Sequence, residues 1–137
     1  MSEPNGTWVR VLLADDTALI RKAVTRLLTE EPAINVVAEA ANFSQAIQMA
    51  STFKPDIVLL DLHMPDDYAF EPAYIRNQLA LCGSKVLGMS LSSGENDEES
   101  RLLAESLGAV TLLDKGEFDS ILIPTILQLA GRSSASV

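Results

Sequence analysis

The chain has a single cysteine, Cys82, so it cannot form an internal disulfide. That usage fits a reducing compartment, and the expectation is a cytoplasmic protein. Aromatic residues make up only 5% of the 137 positions, with one tryptophan, Trp8, and one histidine, His63. One imidazole does not make a transition-metal centre. Basic residues are also scarce: 10 Lys and Arg against 19 Asp and Glu leave a net charge of −9. Phosphate binding needs a basic face, so this domain alone is not expected to hold nucleic acid. The same charge disfavours anionic membrane surfaces. No apolar run approaches the ~18 residues of a membrane span. Residues 1–6 lack the basic region and apolar stretch of a signal peptide.

What the chain does have is a globular composition, 47% apolar and rich in Ala, Leu, Ile and Val. Its length suits one domain with a core of its own. The expected layout is a lead-in at 1–7, one domain over 8–131, and a flexible tail at 132–137.

Short apolar runs alternate with stretches of helical spacing. Residues 8–14, 34–38, 57–60, 85–89 and 110–113 read as strands. The run Ile57-Val58-Leu59-Leu60 is apolar at every position, as in a strand buried on both faces of a parallel sheet. Leu19, Ile20, Ala23, Val24, Leu27 and Leu28 share one face of a helix over 17–30, stopped by Pro32. Ser44 reads as the cap of a second helix ending at Pro55. A third helix is expected over 66–81, and a fourth opens at Asp97 with Leu102, Leu103 and Leu107 facing inward. Gly108 stops it, and a fifth spans 119–130 with Pro124 near its first turn. Met49, Met64 and Met89 read as packing, Trp8 as a cover for the sheet's edge, and Cys82 as a helix-end residue. Alternating strands and helices imply an α/β fold with a mainly parallel sheet.

In such sheets ligands bind beyond the carboxyl ends of the strands. Asp15 and Asp16 follow the first strand, Asp61 ends the third, Ser90 follows the fourth, and Lys115 follows the fifth. Clustered carboxylates need a cation or raised pKa values, and a hard divalent ion such as Mg²⁺ fits oxygen ligands. Lys115 and Ser90 suit a phosphoryl oxygen, and a central Asp can be a nucleophile. Taken singly, these residues have plainer readings. Asp15-Asp16 could cap the first helix, Ser90 could be a loop hydrogen-bonder, and Lys115 a surface lysine. Asp61 is harder to dismiss, because a carboxylate after four apolar residues is costly without a partner.

The ordered set Asp15-Asp16, Asp61-Leu62-His63-Met64-Pro65, Met89-Ser90, Gly108-Ala109 and Leu113-Asp114-Lys115 resembles the receiver domain of two-component response regulators. The resemblance runs from about Val9 to Ala130, and is nearest to receivers that precede helix-turn-helix DNA-binding domains. It implies a flavodoxin-like, doubly wound, five-stranded parallel sheet of order 2-1-3-4-5 with five helices. It further implies Asp61 as acceptor of a phosphoryl group from a sensor histidine kinase or phosphotransfer protein. Mg²⁺ would be held by Asp15, Asp16, Asp61 and the backbone carbonyl of His63. Lys115 would pair with the phosphoryl group, and Ser90 would report it to the face of the fourth helix, fifth strand and fifth helix. That face would engage a downstream protein or form a homodimer.

Four positions depart from the family pattern. Leu91 stands where Ala or Gly is usual, which predicts slower loss of the phosphoryl group. Leu112 replaces a common Tyr or Phe, Gly116 a common Pro, and Ala69 a common Gly. The spacing from Ser90 to Lys115 is longer than usual, and the extra length is assigned to residues 92–96. Three other readings follow. One is a receiver-like module acting without phosphorylation, another a receiver fragment of a longer DNA-binding regulator. The third is a phosphatase or phosphotransferase working through an aspartyl phosphate. Such enzymes usually carry a second Asp just after the nucleophile, where this chain has Leu62-His63.

Overall fold

In the computed structural model, which describes residues 8–90 and 97–131, strands and helices alternate five times. They are β1 (Val9–Ala14), α1 (Ala18–Leu28), β2 (Ile34–Ala40), α2 (Phe43–Phe53), β3 (Ile57–Asp61), α3 (Pro72–Leu81), β4 (Lys85–Ser90), α4 (Asp97–Ser106), β5 (Ala109–Asp114) and α5 (Phe118–Leu129). All strand pairs are parallel, and the sheet order is β2-β1-β3-β4-β5. This is the expected doubly wound order, with the connections covering both faces.

Side chains alternate across the strands, so the core falls into two layers. Val11, Leu13, Leu59, Leu87 and Met89 pack with residues of α1 and α5. Leu12, Val58, Leu60 and Val86 pack with residues of α2, α3 and α4. Leu59 and Leu60 have no exposed surface, which is why β3 carries no polar residue before Asp61. Burying each such leucine contributes roughly 1.5–3 kcal/mol. The two outer strands each carry an irregularity, between Val11 and Leu12 against β2 and between Val86 and Leu87 against β5. In β2 the extra residue, Val37, moves the apolar side chains across the sheet. Ile34 and Val36 serve the first layer, Ala38 and Ala40 the second.

Several expectations are corrected. The second helix is capped by Asn42, not Ser44: Asn42 is extended, and its side chain accepts the Gln45 N–H at 2.8 Å. The third helix does not start at 66. Asp67–Ala69 form a single 3₁₀ turn, Phe70 is extended, and α3 begins at Pro72, where a missing N–H is harmless. Leu102 faces out at 55% exposure, and the inner side of α4 is made by Leu103, Ala104 and Leu107. Pro124 is not in the first turn of α5 but in its middle, where the Ser120 carbonyl loses its helical donor. Met64 and Met89 are buried, Met49 is half-buried, and Cys82 caps α3, as expected. Trp8 is exposed at 45% at the amino edge of the sheet, beside Asp56, Lys85 and Leu129. Leu91 and residues 92–96, with the departures assigned to them, lie outside the described residues, as do 1–7 and 132–137.

Candidate functional site

The parallel register sets Ala14 beside Leu60, Asp61 beside Met89, and Ser90 beside Asp114. The strands therefore end together, and the residues that follow them share the carboxyl edge.

Asp15 has no exposed surface. Its N–H donates to the Ala40 carbonyl at 3.0 Å, and its Oδ1 accepts the Thr17 N–H at 2.8 Å. Arg21 Nη1 donates to the Asp15 carbonyl at 2.6 Å, while Arg21 Nε meets Glu39 Oε1 at 3.1 Å. Asp61 is buried at 6% exposure, and its Oδ1 accepts the His63 N–H at 3.3 Å. Lys115 opens a 3₁₀ turn directly after β5. Its Nζ lies 2.7 Å from Asp15 Oδ2 and 3.4 Å from Asp61 Oδ2. The short contact to Asp15 is one of charge, not direction: Asp15 Oδ2 is buried without a hydrogen-bonding partner among the described residues.

Burial pushes the Asp61 carboxyl up to about 6, with the Asp15 charge adding to it and Lys115 and the His63 N–H opposing. Burial also pulls the Lys115 ammonium down. Its close contact with Asp15 and the charges of Asp61 and Asp15 outweigh this, leaving it above the usual lysine value.

Carboxylate oxygens of Asp15, Asp16 and Asp61 lie within 4.8 Å of one another. Asp16 is exposed and the other two are buried, so the cluster opens to solvent on one side. A set made only of hard oxygens, one of them buried without a donor, fits Mg²⁺ and not a softer metal. His63 joins this site through its backbone. Its imidazole is exposed and meets Asp67 at 3.8 Å on the surface.

Ser90 is buried at 8% and lines an open groove of about 670 Å³ between α4 and β5, with Ala104, Ala109, Leu112 and Asp114. No hydrogen bond among the described residues joins Ser90 to Asp61 or Lys115. Leu112 is half-buried and lies over Gly88, where an added Cβ would stand 3.2 Å from Leu112 Cδ1 and 3.3 Å from Leu62 Cδ2. Gly116 donates its N–H to Asp114 Oδ1 at 2.9 Å, and no peptide bond among the described residues is cis.

Sequence reasoning did not single out Arg21, Glu39 or Asp66. Arg21 and Glu39 brace the Asp15 loop, and Asp66 binds the first turn of α2. A lone arginine on a helix and a glutamate near a strand end carry no local signal of that contact. The run Pro65-Asp66-Asp67 reads only as a turn.

The family model described as the response regulator receiver domain matches residues 11–126. A protein-glutamate methylesterase/protein-glutamine glutaminase 2 of Anaeromyxobacter dehalogenans is 33% identical over 130 residues, covering 90% of this chain and 37% of that protein. The nitrate/nitrite response regulator protein NarL of Escherichia coli is 37% identical over 87 residues, covering 64% of this chain and 40% of NarL. Among solved structures, the signal receiver domain of the putative response regulator NarL from Mycobacterium tuberculosis superposes with a TM-score of 0.78 at 26% identity. It covers 90% of this chain and 97% of that one. The response regulator domain of Thermotoga maritima CheB gives 0.76 at 22% identity, covering 90% and 97%, and shares the fold. The chain thus spans well under half the length of these curated relatives.

Proposed function

The chain belongs to the response regulator receiver domain family, and from that premise we propose that Asp61 is its phosphoacceptor. Asp61 faces Lys115, lies within 4.8 Å of Asp15 and Asp16, and keeps 6% of its surface exposed, whereas Asp15 has no exposed surface from which to meet a phosphodonor. In this reading one Asp61 oxygen attacks the phosphorus of a phosphohistidine on a sensor histidine kinase or phosphotransfer protein. The P–N bond breaks, its electron pair returns to the imidazole, and an acyl phosphate stands on Asp61. The role of the chain is positioning and charge neutralisation. Mg²⁺, held by Asp15, Asp16, Asp61 and the His63 carbonyl, would supply charge compensation for the phosphoryl oxygens. Lys115 keeps a cation beside Asp61 throughout, and the His63 N–H orients Oδ1.

The chain then acts as a signalling unit over 8–131, not as an enzyme turning over small molecules. The residue after Asp61 is the buried Leu62, which leaves no acid–base carboxylate there. The methylesterase and glutaminase activity is that of a relative of which this chain covers 37%. Ser90 would report phosphorylation through the α4–β5 groove to the α4–β5–α5 face, for a downstream protein or a second copy. No helix among the described residues is long and apolar enough to cross a membrane, and with its single cysteine we place the chain in the cytoplasm.

The test is intact mass after incubation with Mg²⁺ and acetyl phosphate. One added phosphoryl group, lost in Asp61→Ala and in chelator, is expected. No gain, either with this donor or with phosphorylated kinase domains, would leave a receiver-like module acting without phosphorylation.

A further inference from the structure

The turn between β2 and α2 is held to the acidic edge from two directions. On one side the Ala40 carbonyl accepts the Asp15 N–H at 3.0 Å. On the other side lie the free N–H groups of the first turn of α2, which have no carbonyl partner within the helix. Asn42 takes that of Gln45 at 2.8 Å. Those of Phe43 and Ser44 donate to Oδ1 and Oδ2 of Asp66, at 2.8 and 3.0 Å. Asp66 comes from the loop after β3, more than twenty positions away in sequence. A carboxylate accepting two main-chain N–H groups at the positive end of a helix is a charge-assisted contact, stronger than a neutral one.

The same loop carries the groups next to Asp61. The Leu62 N–H donates to the Met89 carbonyl at 3.2 Å, and Leu62 and Met64 are buried. His63, exposed between them, gives its N–H to Asp61 Oδ1 at 3.3 Å. Asp66 is where this loop, having left β3, is fastened again. Its fastening point lies within a few residues of the carbonyl that fastens Asp15.

We infer that Asp66 is a positioning residue of the acidic site. By tying the loop after Asp61 to the turn that holds Asp15, it sets the separation of the two carboxylates. The inference rests on the Mg²⁺ reading given above. A helix cap with no such role would matter for stability alone, and the Asn42 side chain, which caps the same helix through Gln45 and has no hydrogen bond to the loop among the described residues, provides the comparison.

The experiment titrates MgCl₂ into the ¹⁵N-labelled full chain, reads affinity from amide shifts, and records thermal unfolding of the same samples. Asp66→Ala is expected to bind Mg²⁺ about tenfold more weakly, and Asp66→Asn, which keeps one acceptor oxygen, about threefold more weakly. Asn42→Ala is expected to lower the melting temperature while holding Mg²⁺ affinity within about twofold of wild type. Wild-type affinity in Asp66→Ala, or equal weakening by Asp66→Ala and Asn42→Ala, overturns the assignment. Should Asp66→Ala not fold, Asp66→Asn carries the test, and wild-type affinity there overturns it. A wild-type chain with no saturable response to Mg²⁺ overturns the metal reading itself, and this inference with it.

Discussion

Lys115 places its ammonium 2.7 Å from Oδ2 of Asp15, a side chain with no exposed surface. The same nitrogen is 3.4 Å from Asp61, so one cation compensates two buried carboxylates. Removing it leaves like charges facing each other in a partly desolvated site. Lys115→Met is expected to raise the Asp61 titration above its present value of about 6, read from ¹³C carboxyl shifts in chelator. An unmoved midpoint would show that Lys115 does not govern the charge of Asp61.

The raised Asp61 pKa also makes stability depend on pH, with a definite sign. A carboxyl that goes from its usual 3.8 to about 6 on folding binds its proton more tightly in the native state. Its contribution favours folding at low pH and is lost as pH rises through about 6. At neutral pH the charged form opposes folding by on the order of 2–3 kcal/mol. Asp61→Asn, in chelator, is expected to be more stable than wild type at pH 7.5, with the gap closing as pH falls from about 6 towards 4. Urea unfolding at a series of pH values checks this, and a pH-independent gap would contradict it.

Arg21 is joined to the Asp15 carbonyl at 2.6 Å and to Glu39 at 3.1 Å, which ties the β1–α1 loop to the end of β2. Arg21→Gln is expected to destabilise the chain by about 1.5–3 kcal/mol, the range for a hydrogen bond from a charged donor. Glu39→Gln, at the more exposed end of the pair, is expected to lose less. Denaturant midpoints of the two variants give the order directly.

Gly88 leaves just the space that Leu112 fills. Gly88→Ala would bring a methyl to 3.2 Å from Leu112 Cδ1 and 3.3 Å from Leu62 Cδ2, so one of the leucines must shift. The expected loss is about 1–2 kcal/mol, with changed Leu112 methyl resonances. Unchanged methyl shifts would mean that the space over Gly88 is not what holds Leu112.

Pro124 interrupts the hydrogen bonding of α5 at an exposed position. Pro124→Ala restores a donor to the Ser120 carbonyl and is expected to stabilise the chain by about 1–3 kcal/mol. A lower melting temperature for the variant would show that the rigid ring matters more through the unfolded chain.

The strands were legible because each is a short, mainly apolar run and β3 is apolar up to Asp61, while their order came from the resemblance to receiver domains. The site was legible in outline because the topology delivers Asp15, Asp61, Ser90 and Lys115 to one edge whatever the loop details. What escaped was set by contacts distant in sequence. The start of α2 is fixed by Asn42 and Asp66 together, and nothing near Ser44 reports Asp66. The late start of α3 follows from the 3₁₀ turn at Asp67–Ala69, whose residues are compatible with a helix on local preference. Leu102 was misassigned inward because the adjacent Leu102 and Leu103 of α4 point to different faces, and it is Leu103, with Leu107 just after the helix, that packs on the layer beneath.

The irregularities in the two outermost strands have a further effect. β2 and β5 form the lateral boundaries of the sheet, and both carry an inserted residue where the three inner strands pair without interruption among themselves. A bulged strand bends and twists, and its free amides and carbonyls no longer form an even ladder. A straight strand from another molecule therefore meets no regular template on either flank, and the sheet resists growing sideways into aggregates.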